Sequence, residues 1–130
     1  MAKKYTLGKT ERLKSRKAID ALFDKGNSFT ATPFRVLYLG IPAGLQFAVG
    51  VASRNFKKAV DRNKIKRRIR EAYRLQKLPL QELLRSRGKG LAVFFTYNGK
   101  DIPDHATVVS GIERCLTKLA KKIENDTPHT

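Results

Sequence analysis

The residues best suited to chemistry in this sequence are basic, and they are concentrated between positions 54 and 77. That stretch holds eleven lysines and arginines and only two acids, Asp61 and Glu71. Ammonium and guanidinium groups bind phosphate oxygens through charge and hydrogen bonding. A solvated basic face usually mixes both signs of charge, whereas this one does not. We therefore predict that residues 54–77 bind the phosphates of a polyanion.

The charge of the whole chain supports the same prediction. Its 130 residues include 28 lysines and arginines and 11 aspartates and glutamates, which gives a formal net charge of +17. Self-repulsion of that size opposes compaction, so it favours a polyanionic partner, with nucleic acid ahead of an anionic membrane surface. Charge by itself leaves RNA, DNA and an acidic protein open.

Most of the cations are predicted to lie on a helix over residues 60–77. Apolar residues recur there at helical spacing and give a narrow stripe formed by Ile65, Ile69, Ala72 and Tyr73. Basic residues repeat every four positions and should form a solvent-facing ridge of Arg62, Lys66, Arg70 and Arg74. The stripe is too narrow for a membrane-surface helix. No short turn and partner helix precede it, as a DNA-binding helix-turn-helix would require.

A second candidate surface is aromatic. Alternation along a strand over residues 34–39 places Arg35 and Leu37 on the face opposite Phe34. Ile19 and Phe23 share one face of the first predicted helix. Bases of single-stranded RNA stack on such groups where positive charge lies beside them. The competing interpretation is that these side chains fill the core, and for Phe34 we favour it.

The sequence carries no arrangement suited to catalysis. Its carboxylates are scattered rather than clustered for metal ions, and its two histidines, His105 and His129, are far apart in the chain. One cysteine and two histidines are too few for a zinc site. Cys115 has apolar neighbours at helical spacing, which favours a buried, inert thiol. We predict binding, with no catalytic and no metal-ligating residue.

The elements that must position these residues follow from periodicity and turn signals. The prediction is a helix over 11–25, an extended segment over 28–40, a strand over 45–53, the basic helix, one short turn within 81–87, a strand over 91–97 and a helix over 104–122. The segments 28–40 and 45–53 should pair as an antiparallel hairpin.

This order predicts an α+β fold. We expect a two-layer α/β sandwich, in which one layer of three helices packs on a central, mostly antiparallel sheet of about four strands. Residues 11–122 should form a single RNA-binding domain, flanked by a flexible basic arm over 1–10 and a flexible tail over 123–130. No apolar run approaches a membrane span, no signal peptide is evident, and one cysteine fits a reducing compartment, so we expect a cytoplasmic protein with no membrane partner.

Residues 59–71 carry a recognisable motif. They read Ala-Val-Asp-Arg-Asn-Lys-Ile-Lys-Arg-Arg-Ile-Arg-Glu. This resembles the Arg-Asn-Arg signature of the bacterial ribonuclease P protein subunit, with Lys64 in place of its second arginine. Val49-Gly50-Val51-Ala52-Ser53 is similar to another segment of that family, although Arg54-Asn55 replaces the usual pair of lysines. The resemblance covers roughly residues 11–122.

The resemblance implies a fold and a function. The family has a left-handed βαβ crossover, and its members assist a catalytic RNA that removes the 5′ leader from precursor tRNA. The implied partners are that RNA subunit and precursor tRNA, with no obligate protein partner. Cleavage needs Mg²⁺, which the family leaves mainly on the RNA, and no stably bound metal is expected on the protein alone.

The resemblance also assigns site residues. The RNA-subunit contacts would be Arg54, Lys58, Arg62, Asn63, Lys64, Lys66, Arg67 and Arg70, and the leader-binding cleft would draw on Ile19, Phe23, Arg35 and Leu37. The chain would thus be the protein component of an endoribonuclease and have no catalytic activity of its own. The alternative is a ribosomal or rRNA-binding protein, which shares size, charge and fold ancestry but lacks this signature.

Overall fold

A computed structural model describes Leu13 and residues 16–42, 44–52 and 54–125. Within these residues the elements are α1 (Arg16–Lys25), β1 (Asn27–Ala31), β2 (Phe34–Ile41), β3 (Leu45–Val51), α2 (Ala59–Gln76), α3 (Leu78–Ser86), β4 (Gly90–Tyr97) and α4 (His105–Asn125). The α+β class with a four-stranded sheet is therefore confirmed. None of the described helices is both long enough and apolar enough to cross a membrane.

The strands form one mixed sheet in the order β1-β2-β4-β3. The β1–β2 and β2–β4 pairs are antiparallel, whereas β3 and β4 are parallel. Parallel neighbours need a crossover connection, and α2 and α3 supply it here. The hand of this crossover stays a prediction from the resemblance.

The predicted hairpin of residues 28–40 and 45–53 is wrong. Strand β4 lies between β2 and β3, and the observed hairpin joins β1 to β2 through a turn at Thr32-Pro33. A short connection favours a hairpin locally, but β4 is buried along most of its length and therefore takes a central position. Because β4 pairs with β2 on one side and β3 on the other, more backbone N–H and C=O groups form hydrogen bonds than in a two-stranded hairpin of β2 and β3.

The helices lie on both faces of the sheet rather than in one layer. Helices α2, α3 and α4 cover the face with Phe34, Val36 and Phe95, which forms the main core. Helix α1 covers the opposite face, where Leu22 packs with Leu37 and other apolar residues of a second cluster. Both faces of β2 and β4 are apolar, so each needs a cover, and a single helical layer would leave one exposed.

Two helices differ from the sequence prediction at their ends. Helix α3 has nine residues, not one turn, because Pro79 ends the α2 pattern and also suits the first positions of a new helix. Helix α4 continues to Asn125, and Ile123 is buried in the main core, so these residues do not belong to a flexible tail. The predicted arm over 1–10, the start of helix one and residues 126–130 lie outside the described residues.

Candidate nucleic-acid interface

Helix α2 presents its predicted cations because its apolar stripe is anchored in the core. Ile65 and Ile69 are fully buried, and the Tyr73 ring stacks on Phe47 with 3.8 Å between ring centroids. The stripe is confirmed, as is the core position predicted for Phe34, which is fully buried. Four of the predicted contact residues on the helix are exposed: Asn63, Lys64, Arg67 and Arg70. This helix therefore holds a row of polar donors in a rigid, outward-facing position.

The predicted solvent-facing ridge is displaced from the centre of the exposed face. Of its four members only Arg70 is exposed, and Arg62, Lys66 and Arg74 are half-buried. Lys66 and Arg74 each directly follow a buried residue of the stripe, and Arg62 turns its guanidinium group back to carbonyl oxygens of the preceding segment. The exposed row instead centres on Asn63, Arg67 and Arg70.

Arg62 is bound within the chain. Its Nη1 donates to the carbonyl oxygens of Phe56 at 2.7 Å and Lys57 at 2.9 Å. A planar guanidinium can hold two carbonyls in this way and still has donors to spare. Arg62 therefore fastens the segment that precedes α2, which carries the predicted contacts Arg54 and Lys58.

The same segment is fixed at two further points. Asn55 Nδ2 lies 3.3 Å from the carbonyl oxygen of Gly99, beyond the end of β4, and Phe56 is buried. Arg54 and Lys58 themselves are exposed. Three tethers thus hold a short basic segment with its cations turned to solvent, which lowers the entropy lost when those cations bind.

Two other arginines of the helix make contacts that sequence reasoning did not anticipate. Arg68 Nη1 donates to the carbonyl oxygen of Pro103 at 2.5 Å, which ties α2 to the start of α4. Arg74 pairs with Glu71 one turn away. Glu71 is one of the two acids within 54–77, so its negative charge is balanced locally.

The second candidate surface lies on the α1 side of the sheet. Phe23 is 58 % exposed although it is aromatic, and its ring meets Phe94 edge-on at a centroid distance of 5.2 Å. Ile19, one turn earlier, is half-buried against the same cluster. Arg35 is exposed on this face and pairs across the sheet with Thr96. The exposed part of the cleft therefore consists of an aromatic pair with one cation on the same sheet face.

Leu37 does not line this surface. It is buried beneath α1 with Leu22 and Ala92, so its side chain belongs to the floor under the surface and is largely covered from solvent. The prediction for Leu37 is corrected accordingly. Alternation placed it correctly on the face of Arg35, but the position of α1 along the strand decides which residues of that face are covered.

Phe94 is the cleft residue that sequence reasoning missed. The sequence predicts a strand over 91–97, and alternation along it separates Phe94 from the core residues Val93 and Phe95. Gly50 on β3 makes room for it, since a Cβ at Gly50 would come within 2.9 Å of the Phe94 ring. The ring lies against the β3 backbone there and supports Phe23 from below.

The cation of the cleft and the basic segment before α2 lie at the same end of the sheet. Arg35 is near the start of β2, and its neighbour Phe34 pairs with Tyr97 at the end of β4. Tyr97 also pairs with Val51, the last residue of β3, from which the chain leads into the basic segment before α2. A polyanion bound to α2 can therefore continue towards the cleft along this end.

The titratable groups with shifted pKa values lie outside these two surfaces and have structural roles. Cys115 is fully buried, as predicted, and this burial raises the pKa of its thiol to about 12. Hydrogen bonds from Thr107 hold the pKa of Asp104 below its ordinary value, as expected for a residue that caps α4. Burial, with a smaller effect of Asp101, raises the pKa of Tyr97. Among the described residues, no three histidine, cysteine or acidic side chains are placed to hold a metal ion.

Comparison with known proteins identifies the family. The family model described as Ribonuclease P matches residues 7–123. The chain belongs to the ribonuclease P protein family. It is 35% identical over 123 residues to the ribonuclease P protein component of Porphyromonas gingivalis strain W83, covering 92% of this chain and 90% of that protein. The corresponding protein of Desulfovibrio desulfuricans is 30% identical over 125 residues, with 93% and 92% covered.

Solved structures agree on the fold. The Staphylococcus aureus RNase P protein superposes with a TM-score of 0.68 at 21% identity, over 85% of this chain and 95% of that one. A mutant of the same protein, described as defective in mRNA degradation activity, gives a TM-score of 0.62 at 25% identity, over 87% and 90%.

Family membership confirms the resemblance and the expectation of a protein component of the ribonuclease P holoenzyme. It implies RNA binding, a part in tRNA processing and partnership with the ribonuclease P RNA. It also decides against the ribosomal-protein alternative.

Proposed function

We propose that the chain binds the catalytic RNA of ribonuclease P through α2 and the segment before it, and holds the 5′ leader of precursor tRNA in the cleft beside α1. The observation that carries the proposal is the shared position of the two surfaces. A tethered, outward-facing row of cations begins at the end of the sheet where Arg35 lies, and an exposed aromatic pair lies on the same sheet face as Arg35. This arrangement suits two RNA segments that meet at a cleavage site.

The RNA-subunit surface consists of the exposed cations on both sides of the α2 N-terminus. Arg54 and Lys58 lie on the tethered segment, and Lys64, Arg67 and Arg70 follow on the helix. Their spacing along one rigid element suits a phosphate backbone, which positions a protein without specifying sequence. Asn63 adds a side-chain amide that can donate to a phosphate or accept from a 2′-hydroxyl.

The leader would be held by stacking and one cation. Phe23 exposes a large part of its ring, and Phe94 fixes its orientation from below. A base stacked on the exposed ring, with a phosphate near Arg35, would bind single-stranded RNA with little sequence preference. That tolerance suits a substrate class whose leaders differ in sequence.

We propose that the protein leaves bond cleavage to the RNA and contributes fixed positive charge. The two acids of the basic region support this, because Asp61 and Glu71 are ten positions apart on α2 and Glu71 is paired with Arg74. They do not form a pair that could hold a catalytic ion, so Mg²⁺ would remain mainly on the RNA. Lysines and arginines near the phosphates would replace part of the screening otherwise supplied by free cations.

The experiment is a cleavage assay on precursor tRNA across a Mg²⁺ titration. It compares the protein alone, the catalytic RNA alone and both together. We expect no cleavage by the protein, cleavage by the RNA only at high Mg²⁺, and cleavage at clearly lower Mg²⁺ when both are present. Cleavage by protein alone that survives stringent removal of contaminating nucleases would overturn the proposal, as would an unchanged Mg²⁺ requirement.

A further inference from the structure

A third basic surface lies where α4 meets the edge strand β1, at the edge of the sheet opposite β3. Lys118 and Lys122 place their ammonium groups 5.7 and 5.6 Å from the centroid of the same ring, Phe29. The Phe29 ring is 5.9 Å from that of Tyr38 on the neighbouring strand. Arg114, one turn before Lys118, donates to the carbonyl oxygen of Thr32. We call Phe29, Tyr38, Arg114, Lys118 and Lys122 the α4–β1 surface.

The acids of α4 lie away from this surface. Glu113 and Glu124 are on the opposite flank, where they and Lys121 line a groove shared with α2 and α3. The cations of the α4–β1 surface lie towards β1 instead. Like charges spaced three to four residues apart on one helix destabilise it slightly, so their grouping has a cost that a bound anion would remove.

A cavity continues the surface beyond Lys122. It has a volume of about 510 Å³, and Asn27, Tyr38, Lys89 and Lys122 are among the residues that line it. No carboxylate of the described residues lines it. Its volume lies within the range of small-ligand sites and exceeds what one nucleobase needs.

We propose that the α4–β1 surface and this cavity form a second binding site for single-stranded RNA, separate from the cleft beside α1. Phosphates would lie between Lys118 and Lys122, and a base would pack beside the Phe29–Tyr38 pair, next to Tyr38, or enter the cavity. An acidic peptide could use the cations, but it would leave the two rings and the cavity wall without a partner. The site goes beyond the function proposed above, because Phe29 and Tyr38 belong to the sheet face opposite Phe94.

Two features show that the cations are placed before RNA arrives. Lys118 Nζ donates to the carbonyl oxygen of Thr30 at 3.2 Å, and the aromatic ring attracts both ammonium groups. An ammonium group has three donors, so one bond to Thr30 leaves Lys118 able to bind a phosphate oxygen. Both lysines are otherwise exposed to solvent.

The test is photo-crosslinking of the full chain to a single-stranded oligouridylate of about eight nucleotides that contains one 4-thiouridine. Mass spectrometry then locates the crosslinked residues. We expect two groups of crosslinks, one at Phe23 or Phe94 and one at Phe29 or Tyr38. The first group reports on the cleft proposed above and the second on the α4–β1 surface, so either can fail without the other.

The matched variants are Lys122→Gln and Lys121→Gln. The two neighbours lose the same charge on the same helix, but Lys121 lines the groove on the other flank. Lys122→Gln should lower the crosslinks at Phe29 and Tyr38 by about threefold or more and leave those at Phe23 unchanged, while Lys121→Gln should change neither. Phe29→Leu keeps an apolar side chain and should also lower crosslinking at Tyr38. Thermal melting verifies that each variant is folded.

Three outcomes would overturn the proposal. The first is the absence of crosslinks at Phe29 and Tyr38 in the unmodified chain. The second is an equal effect of Lys121→Gln and Lys122→Gln, which would show only a dependence on net charge. The third is displacement of the RNA from this surface by polyglutamate as readily as by unlabelled oligouridylate, which would indicate an acidic protein as the partner.

Discussion

At the scale of single residues, Arg62 and Arg67 look alike in sequence and differ in the structure. Arg62 bridges the carbonyl oxygens of Phe56 and Lys57, whereas Arg67 is exposed. Lysine keeps the charge, but its ammonium group is a compact point charge on a flexible stem and lacks the fixed planar orientation in which Nη1 donates to both oxygens. We therefore expect Arg62→Lys to weaken binding of the catalytic RNA almost as much as Arg62→Ala, and Arg67→Lys to retain most of the affinity that Arg67→Ala loses. Titrations of the four variants against the RNA measure this, and full recovery in Arg62→Lys would show that Arg62 acts by charge alone.

Cys115 supports a prediction about pH. Burial raises its pKa to about 12 from an ordinary value of 9.0, so the native state holds the neutral thiol. A raised pKa contributes stability below about pH 9 that is lost as the pH rises towards 12, because the unfolded chain can release the proton. Urea denaturation at pH 7 and pH 10 should therefore show a smaller pH-dependent loss of unfolding free energy in Cys115→Ala than in the unmodified chain. Rapid alkylation of the native thiol at pH 8 would contradict this burial.

At the scale of elements, the cleft depends on α1 holding Phe23 over Phe94. Because Phe23 is 58 % exposed, Phe23→Ala should cost little stability. It should nevertheless weaken binding of precursor tRNA by about 1–3 kcal/mol, the value of a stacked base, and leave binding of mature tRNA almost unchanged. Both affinities are measured beside the melting temperature, with Phe23→Leu as a variant that keeps the apolar contact but not the stacking ring. Equal losses for the two tRNAs together with a lower melting temperature would show that Phe23 is structural only.

The elements also show which features of the fold sequence patterns can predict. Periodicity located α2 to within about one residue at each end. The reason is that Ile65 and Ile69 belong to an apolar stripe whose helical spacing is visible within the segment itself. Periodicity could not predict the order of the strands, because β4 pairs with both β2 and β3 although two helices separate it from them in the chain. Nor could it show that Leu37 lies beneath α1 while Arg35 lies beyond it. Local spacing thus predicts which face a side chain occupies, and tertiary packing decides whether that face is covered.

At the scale of the whole molecule, a net charge of +17 raises the question whether RNA binding is a property of the total charge or of one surface. If the total charge decides affinity, every cation contributes equally. If RNA docks on one surface, the affinity depends on the cations that contact phosphates. The five exposed cations Arg54, Lys58, Lys64, Arg67 and Arg70 predict a slope of about −4 for the logarithm of affinity against the logarithm of salt concentration, at roughly 0.7–0.9 per phosphate contact.

Two double variants separate these explanations. Arg67→Ala/Arg70→Ala removes two cations from α2, and Arg85→Ala/Arg87→Ala removes two exposed cations from the end of α3 and the residue after it, so both lower the net charge equally. The first pair should reduce the slope by about 1.5 units and lower the affinity for the catalytic RNA at every salt concentration, because two phosphate contacts are lost. The second pair should leave the slope unchanged and the affinity nearly so. Equal reductions in the two variants would mean that RNA binding depends on the net charge of the whole chain, and would contradict the proposal that the RNA docks on α2.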